Sequence, residues 1–187
     1  GGPVYIFRNA LYNVVGSPFK MHNNPSGGLM LHNTIVKKGM AMECFGGPRV
    51  GNFVYRNNLF VGTTANYAFE STATMADCDF DYDGFGGGPW GKFLKWNGAR
   101  YDTLDDVKKS APIYTHAALI DLATAFASGI LPPADEKAQV KPPPDLRPKA
   151  GAAAIDAGQG LPGLNEGFSG EAPDLGPLRR GGAAEFA

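Results

Sequence analysis

The chain has 187 residues, which is enough for one domain with a sizeable buried core. Its 26 glycines and 15 prolines exceed ordinary globular usage, but 43% hydrophobic and 11% aromatic residues argue against a disordered chain. The 17 basic and 18 acidic side chains balance, so we expect no nucleic-acid partner and no electrostatic attachment to membranes. No apolar run approaches the roughly 18 residues that cross a bilayer. These features favour a loop-rich chain dominated by β-structure.

A repeat of 24 residues is the strongest pattern in the first half of the chain. The segments IFRNAL, MLHNTI and VYRNNL carry asparagine at positions 9, 33 and 57, and a further step of 24 reaches Asp81. Such a period with short β-type runs predicts a solenoid whose parallel coils stack about 4.8 Å apart. Two apolar columns recur with the asparagines: Ile6, Met30, Val54 and Cys78, and Leu11, Ile35 and Leu59. We predict a corner ladder of side-chain hydrogen bonds formed by Asn9, Asn33, Asn57 and Asp81.

The coils can be followed along the chain. Residues 3–27, 28–51 and 52–76 are predicted to form three coils, with second strands near 18–22, 41–45 and 67–71, and residues 77–85 to start a fourth. The sequence GGGP at 86–89 breaks the pattern. Thr103 to Lys109 is predicted to form a short capped helix, 117–130 is ambiguous between helix and strand, and 131–149 is an extended connection. This divides one domain into β-helix coils (1–85) and an irregular C-terminal capping region (86–187), because an uncovered solenoid end exposes unpaired backbone.

The repeat segments resemble the coils of right-handed parallel β-helix proteins of the pectate-lyase-like superfamily. The segments DYDGF (81–85), KWNG (95–98) with YDTL (101–104), AIDAG (154–158) and APDLG (172–176) are similar to elements at the C-terminal end of such proteins. The resemblance implies a right-handed parallel β-helix that corresponds to the C-terminal portion of a longer one. Its open N-terminal end would then meet further coils or another subunit. It also implies a secreted or periplasmic protein that acts on polysaccharide.

A basic column is the first candidate site. Arg8, His32 and Arg56 immediately precede the asparagines, and stacked coils would place them in a line about 5 Å apart. A row of cations suits the carboxylates of a polyuronate, and Phe7 and Tyr55 beside it offer apolar surface to sugar rings. A lyase needs such groups to neutralise the uronate carboxylate and to remove the adjacent proton. The alternative is that these side chains simply reach solvent from a corner.

A second cluster comes from the predicted second strands. Lys20, Glu43 and Glu70 would share one solvent face, with His22 nearby as a substrate contact. Two carboxylates there suit glycoside hydrolysis, which needs a separation of roughly 5–10 Å. The alternative is a surface ion pair between Lys20 and Glu43, worth less than about 1 kcal/mol.

Alternating aspartates form the candidate metal site. A strand would place Asp77, Asp79, Asp81 and Asp83 on one face, and clustered carboxylates suit Ca²⁺. The alternative is that Asp81 belongs to the ladder and the group is structural. No other cofactor is expected. Cys44 and Cys78 are predicted to be small buried residues without a disulfide.

The resemblance and the basic column together favour part of a polysaccharide lyase that acts on an acidic, uronate-containing polysaccharide. Because this fold hosts many activities, two alternatives stay open. One is a non-catalytic glycan-binding or structural β-helix, and the other is a glycoside hydrolase that uses Glu43 and Glu70. The catalytic residues of a lyase could also lie in coils upstream of this segment.

Overall fold

The computed structural model describes residues 3–19, 21–45 and 47–177. Strands hold 36% of the chain and helices 6%, so the fold is all-β. Parallel sheets stack as a β-solenoid of about four turns with about 25 residues per turn, as the repeat predicts.

The strands follow one another around the solenoid. The first turn contains β1 (Val4–Phe7) and β2 (Ala10–Tyr12); the second contains β3 (Ser26–Leu31), β4 (Thr34–Val36) and β5 (Met42–Cys44). The third contains β6 (Arg49–Arg56), β7 (Leu59–Gly62) and β8 (Ala65–Ser71); the fourth contains β9 (Thr74–Ala76), β10 (Asp79–Asp81), β11 (Gly84–Gly87) and β12 (Trp90–Trp96). Sheet A comprises β1, β3, β6, β9 and β10. Sheet B contains β2, β4, β7 and β11, sheet C contains β5, β8 and β12, and each of these two sheets gains one further strand after the fourth turn.

The strand register aligns similar residues of successive turns in columns, and these columns fill the interior of the solenoid. On the inner side of sheet A, Tyr55 lies between Met30 and Phe80, and the Tyr55 and Phe80 rings stack with centroids 3.8 Å apart. On the inner side of sheet B, Ile35 and Phe60 are paired and buried. Alternation along each short strand therefore supplies the aliphatic and aromatic core.

The corner between sheets A and B repeats one backbone conformation. Arg8, His32, Asn57 and Tyr82 all adopt left-handed φ values between 53° and 60°. The chain turns sharply at each of these residues, and the next residue directs its side chain towards the neighbouring turn.

The residues that directly follow these four corner residues form the hydrogen-bonded ladder. Two of its four members differ from those predicted. Asn9 Nδ2 donates to Asn33 Oδ1 at 2.9 Å, Asn33 Nδ2 to Asn58 Oδ1 at 2.9 Å, and Asn58 Nδ2 to Asp83 Oδ1 at 3.0 Å. The assignment of Asn57 and Asp81 to the ladder was wrong, because the register steps from Leu31 to Arg56 and on to Asp81 are 25 residues each rather than 24.

The solenoid also continues past the predicted boundary at residue 85. Strands β11 and β12 belong to the fourth turn, and β12 pairs in parallel with β8. Strand β13 (Ala99–Tyr101) then folds back antiparallel to β12. Helix α1 (Leu104–Ser110) begins as predicted, with a capping box between Thr103 and Asp106. The ambiguous stretch forms β14 (Ala118–Ile120), which extends sheet B, and then α2 (Leu122–Ala125).

The remaining described chain covers a side of the solenoid rather than its end. Outward-facing Val36, Leu59 and Val61 of sheet B form a buried cluster with tail residues, among them Leu146, Ala154 and Leu175. After Ala125 the described residues form no further helix and only one isolated bridge, between Phe126 and Pro148. Neither described helix is long and apolar enough to cross a membrane.

Candidate functional site

The predicted basic column does not form. Arg8 is followed in its column by His32, Asn57 and Tyr82, whereas Arg56 lies one position earlier, paired with Leu31. The second turn contains one residue more than the first, which shifts Arg56 out of line, so the prediction of three aligned cations was wrong.

His32 is buried beneath the C-terminal tail, with 8% of its surface exposed. Its Nδ1 lies 3.1 Å from the Gly176 carbonyl oxygen, and its Nε2 lies 3.1 Å and 2.9 Å from the side-chain amide nitrogens of Asn57 and Asn165. These partners fit a neutral ring that donates from Nδ1 and accepts at Nε2. Both ring nitrogens are therefore engaged in holding the tail.

Arg56 holds the tail at the same corner. Its Nε donates to Gln159 Oε1 at 2.8 Å, and its Nη2 pairs with Asp79 Oδ2 at 2.6 Å. Only 11% of the Arg56 side chain is exposed. We call His32, Arg56, Asn57, Gln159 and Asn165 the corner clamp. The contacts of the clamp with the tail join residues more than one hundred positions apart, so the sequence repeat does not predict them.

The two aromatic side chains predicted to contact sugar, Phe7 and Tyr55, lie in different environments. Tyr55 is fully buried in the core, so its prediction as a sugar contact was wrong. Phe7 is 37% exposed and meets Tyr5 edge to face, while Arg8 donates to the Leu164 carbonyl at 2.9 Å. His22 is half-buried with its ring 5.7 Å from that of Phe45.

The four aspartates do not converge on a metal position. Asp77 pairs with Arg49, Asp79 with Arg56, and Asp81 with His116 at 2.7 Å, while Asp83 points into the ladder. No group of three or more potential metal-ligating side chains occurs in the part of the chain that the structure describes. The left-handed corners at Asp77 and Tyr82 break the alternation on which the prediction depended.

Asp83 has the most strongly shifted carboxyl pKa among the described residues. Its Oδ1 accepts from the Asn58 backbone and side chain, whereas Oδ2 has no hydrogen bond of normal geometry although the Tyr114 hydroxyl lies beside it. Complete burial raises the pKa of Asp83 to about 8, against the smaller opposing effect of the Asn58 hydrogen bonds. Burial therefore favours the protonated form of the Asp83 carboxyl, which is the last member of the ladder.

Sheet C brings two predicted residues together. Glu43 on β5 lies directly opposite Glu70 on β8, and Glu70 lies opposite Lys95 on β12. Lys95 Nζ contacts Glu70 Oε1 at 2.8 Å, with about a fifth of each side chain exposed, and Ser17 Oγ donates to Glu43. Lys20, predicted to join this group, lies outside the described residues.

Further polar side chains lie on the same sheet as these glutamates. Arg100 Nε donates to the Tyr67 hydroxyl at 3.1 Å, and Arg100 is paired in register with Lys95. Lys92 lies opposite Tyr67 and forms an ion pair with Asp102. Lys95 follows Glu70 by one turn of 25 residues, a step that the predicted boundary at residue 85 concealed. We call Glu43, Tyr67, Glu70, Lys95 and Arg100 the sheet C face.

Cys44 is buried and Cys78 is half-buried, and both are free thiols.

Comparisons of the chain with models of protein families, with curated proteins and with solved structures found no match.

Proposed function

We propose that the chain is a carbohydrate-active β-helix protein, related to the pectate-lyase-like superfamily, that binds polysaccharide on the sheet C face. The parallel solenoid and the tail motifs support the relationship. Secretion or export to the periplasm follows from the same proposal, because its substrate is an extracellular polymer.

The pairing of Glu43 with Glu70 carries the proposal. The two glutamates occupy adjacent strands, and adjacent strands lie about 4.8 Å apart. Retaining glycosidases place their two carboxyl groups about 5–5.5 Å apart. Ser17 donates to Glu43 and Lys95 pairs with Glu70, so these contacts hold both carboxylates on the sheet C face. The reaction that this geometry favours is hydrolysis with retention of configuration.

The neighbouring side chains favour an acidic substrate. Arg100 is exposed, and its terminal nitrogens have no carboxylate partner among the described residues. A planar guanidinium binds carboxylates in a two-pronged manner, and the Tyr67 ring beside it can lie against a sugar. A uronate-containing polysaccharide supplies both groups.

Elimination has less support than hydrolysis in this chain. The lyase prediction depended on Arg8, His32 and Arg56 facing a groove together. Two of these side chains instead hold the tail in the corner clamp.

The test measures both reactions on the same samples. The protein is incubated with polyuronates and neutral glycans while reducing ends and the absorbance of unsaturated products are followed in parallel. Glu43→Gln and Glu70→Gln are compared with Glu171→Gln, an exposed glutamate of the tail. We expect reducing ends without unsaturated products, a loss of about 10²–10⁴-fold in either sheet C variant, and full activity in the control.

Other outcomes would contradict the proposal at different levels. Unsaturated products would establish elimination. Binding without either product would make the chain a non-catalytic glycan-binding module. A cooperatively folded wild-type protein that binds no polysaccharide would overturn the proposed function altogether.

A further inference from the structure

The loop formed by residues 159–172 lies over the corner between sheets A and B with little apolar attachment. Of these described residues only Asn165 is buried, whereas the apolar Leu164 and Phe168 are exposed. The corner clamp supplies polar bonds between this loop and the solenoid, and Arg8 adds one by donating to the Leu164 carbonyl. Segments with few buried apolar contacts open at a small cost in free energy, so the clamp decides whether the loop stays closed.

Main-chain bonds fix the orientation of both amides that face His32. The Asn57 side chain accepts from the Gln159 N–H at 2.7 Å and donates to the Gln159 carbonyl at 2.9 Å. The Asn165 side chain accepts from the Leu161 N–H at 2.6 Å and donates to the same Gln159 carbonyl at 2.9 Å. Rotating either amide would reverse two of these bonds, so both NH₂ groups stay directed at His32 Nε2. That nitrogen must therefore be an unprotonated acceptor.

Protonation of His32 is incompatible with this arrangement. An N–H at Nε2 would point at two other N–H donors, and Nδ1 already donates to the Gly176 carbonyl. The imidazolium would also lie between two turns that carry Arg8 and Arg56 at this corner, and their positive charges disfavour a third. A proton on the ring therefore weakens the clamp.

The carboxylates of the adjoining segments already have partners. Asp79 pairs with Arg56 at 2.6 Å, and Glu166 and Asp174 each accept a main-chain N–H of the tail. They are therefore committed to bonds that hold the closed arrangement together. The contacts of the His32 ring itself fit its neutral form alone.

We propose that the corner clamp is an acid-released latch, in which neutral His32 holds loop 159–172 against the solenoid and protonated His32 lets it open. A released ring returns to water, where an imidazole takes up a proton near pH 6.5. Because the closed state excludes that proton, the ratio of closed to open molecules is highest above about pH 6.5 and falls about tenfold per pH unit below it. Opening frees Arg56 and the imidazolium from their contacts with the tail. The latch is independent of the sheet C face.

Amide hydrogen exchange, measured by NMR at several pH values between 5 and 8, tests the latch. Protection factors are corrected for intrinsic exchange at each pH. The Gln159 amide, which donates to Asn57, reports opening of the loop, and the Leu59 amide reports opening of the solenoid. His32→Gln keeps an acceptor for the two amides and removes the titration. His116→Gln, at an exposed histidine outside the clamp, is the matched control.

We expect the Gln159 protection factor to fall about tenfold per pH unit below about pH 6.5 in the wild type and in His116→Gln, and to stay constant in His32→Gln. The Leu59 protection factor should not follow this fall. A constant Gln159 value in the wild type, or the same fall in His32→Gln, would overturn the proposal. Parallel loss of protection at Gln159 and Leu59 would mean that acid unfolds the whole solenoid, and it would overturn a local latch.

Discussion

Replacing Asp83 by asparagine tests the ladder and its buried acid together. The Asp83 pKa is about 8 in the fold and 3.8 in the reference state, so between these pH values the folded protein keeps a proton that the unfolded chain loses. A pKa raised by folding contributes stability that is complete below pH 4 and is lost as pH rises towards 8. The loss is about 1.4 kcal/mol per pH unit.

The size of the effect at pH 7 follows from this difference. Three pH units above the reference pKa correspond to about 4 kcal/mol, and relaxation around a buried group reduces this to about 2–4 kcal/mol. Asparagine has no such cost. Its oxygen can accept from Asn58, and its amide can donate to the unpaired Tyr114 hydroxyl. Asp83→Asn should therefore raise the free energy of unfolding at pH 7 by about 2–4 kcal/mol and have little effect near pH 4.

Urea unfolding followed by tryptophan fluorescence at several pH values between 4 and 8 measures this difference. Asp105→Asn, at an exposed position of α1, removes a carboxylate outside the core and is the matched control. A variant that is less stable than the wild type at pH 7, or a stability difference that does not change with pH, would refute the buried neutral acid.

Three further substitutions probe the fold by the same unfolding assay. Asn33→Leu removes five hydrogen bonds from a fully buried side chain and should cost about 3–5 kcal/mol, whereas a change near zero would contradict a buried ladder. Gly87→Ala would place a methyl group 1.8 Å from the Gly62 carbonyl oxygen at φ +106°, so we expect a loss of about 2–4 kcal/mol, and wild-type stability would show that β11 lies elsewhere. Thr103→Ala removes the capping box of α1 and should cost about 1 kcal/mol, and no loss would mean that the cap does not form.

The period of the repeat could be predicted from the sequence, but its phase in the third turn could not. Val54 and Tyr55 are both apolar, as are Leu59 and Phe60, so a shift of one residue leaves the pattern intact. The doubled asparagine at 57 and 58 allows the same shift. Only the strand register shows that Tyr55, Asn58 and Phe60 are the inward residues. The error moved Arg56 into an apparent line with His32.

The site was predictable only where it depends on the repeat. Glu43 and Glu70 lie at corresponding positions of two turns, and their pairing follows from coil spacing. The burial of His32 follows from the tail, whose contacts join residues more than one hundred positions apart and leave no local pattern. Arg100 reaches the sheet C face through an antiparallel return strand that no repeat specifies.

Affinity electrophoresis through gels that contain polyuronate distinguishes binding at the sheet C face from binding at the corner beside sheet A, by comparing two exposed arginines. Arg100 lies on the sheet C face, and Arg8 belongs to the originally predicted basic column. We expect Arg100→Gln to abolish the retardation of the protein and Arg8→Gln to retain it. Loss of retardation in Arg8→Gln with normal retardation in Arg100→Gln would contradict binding on the sheet C face and place the site at the corner beside sheet A.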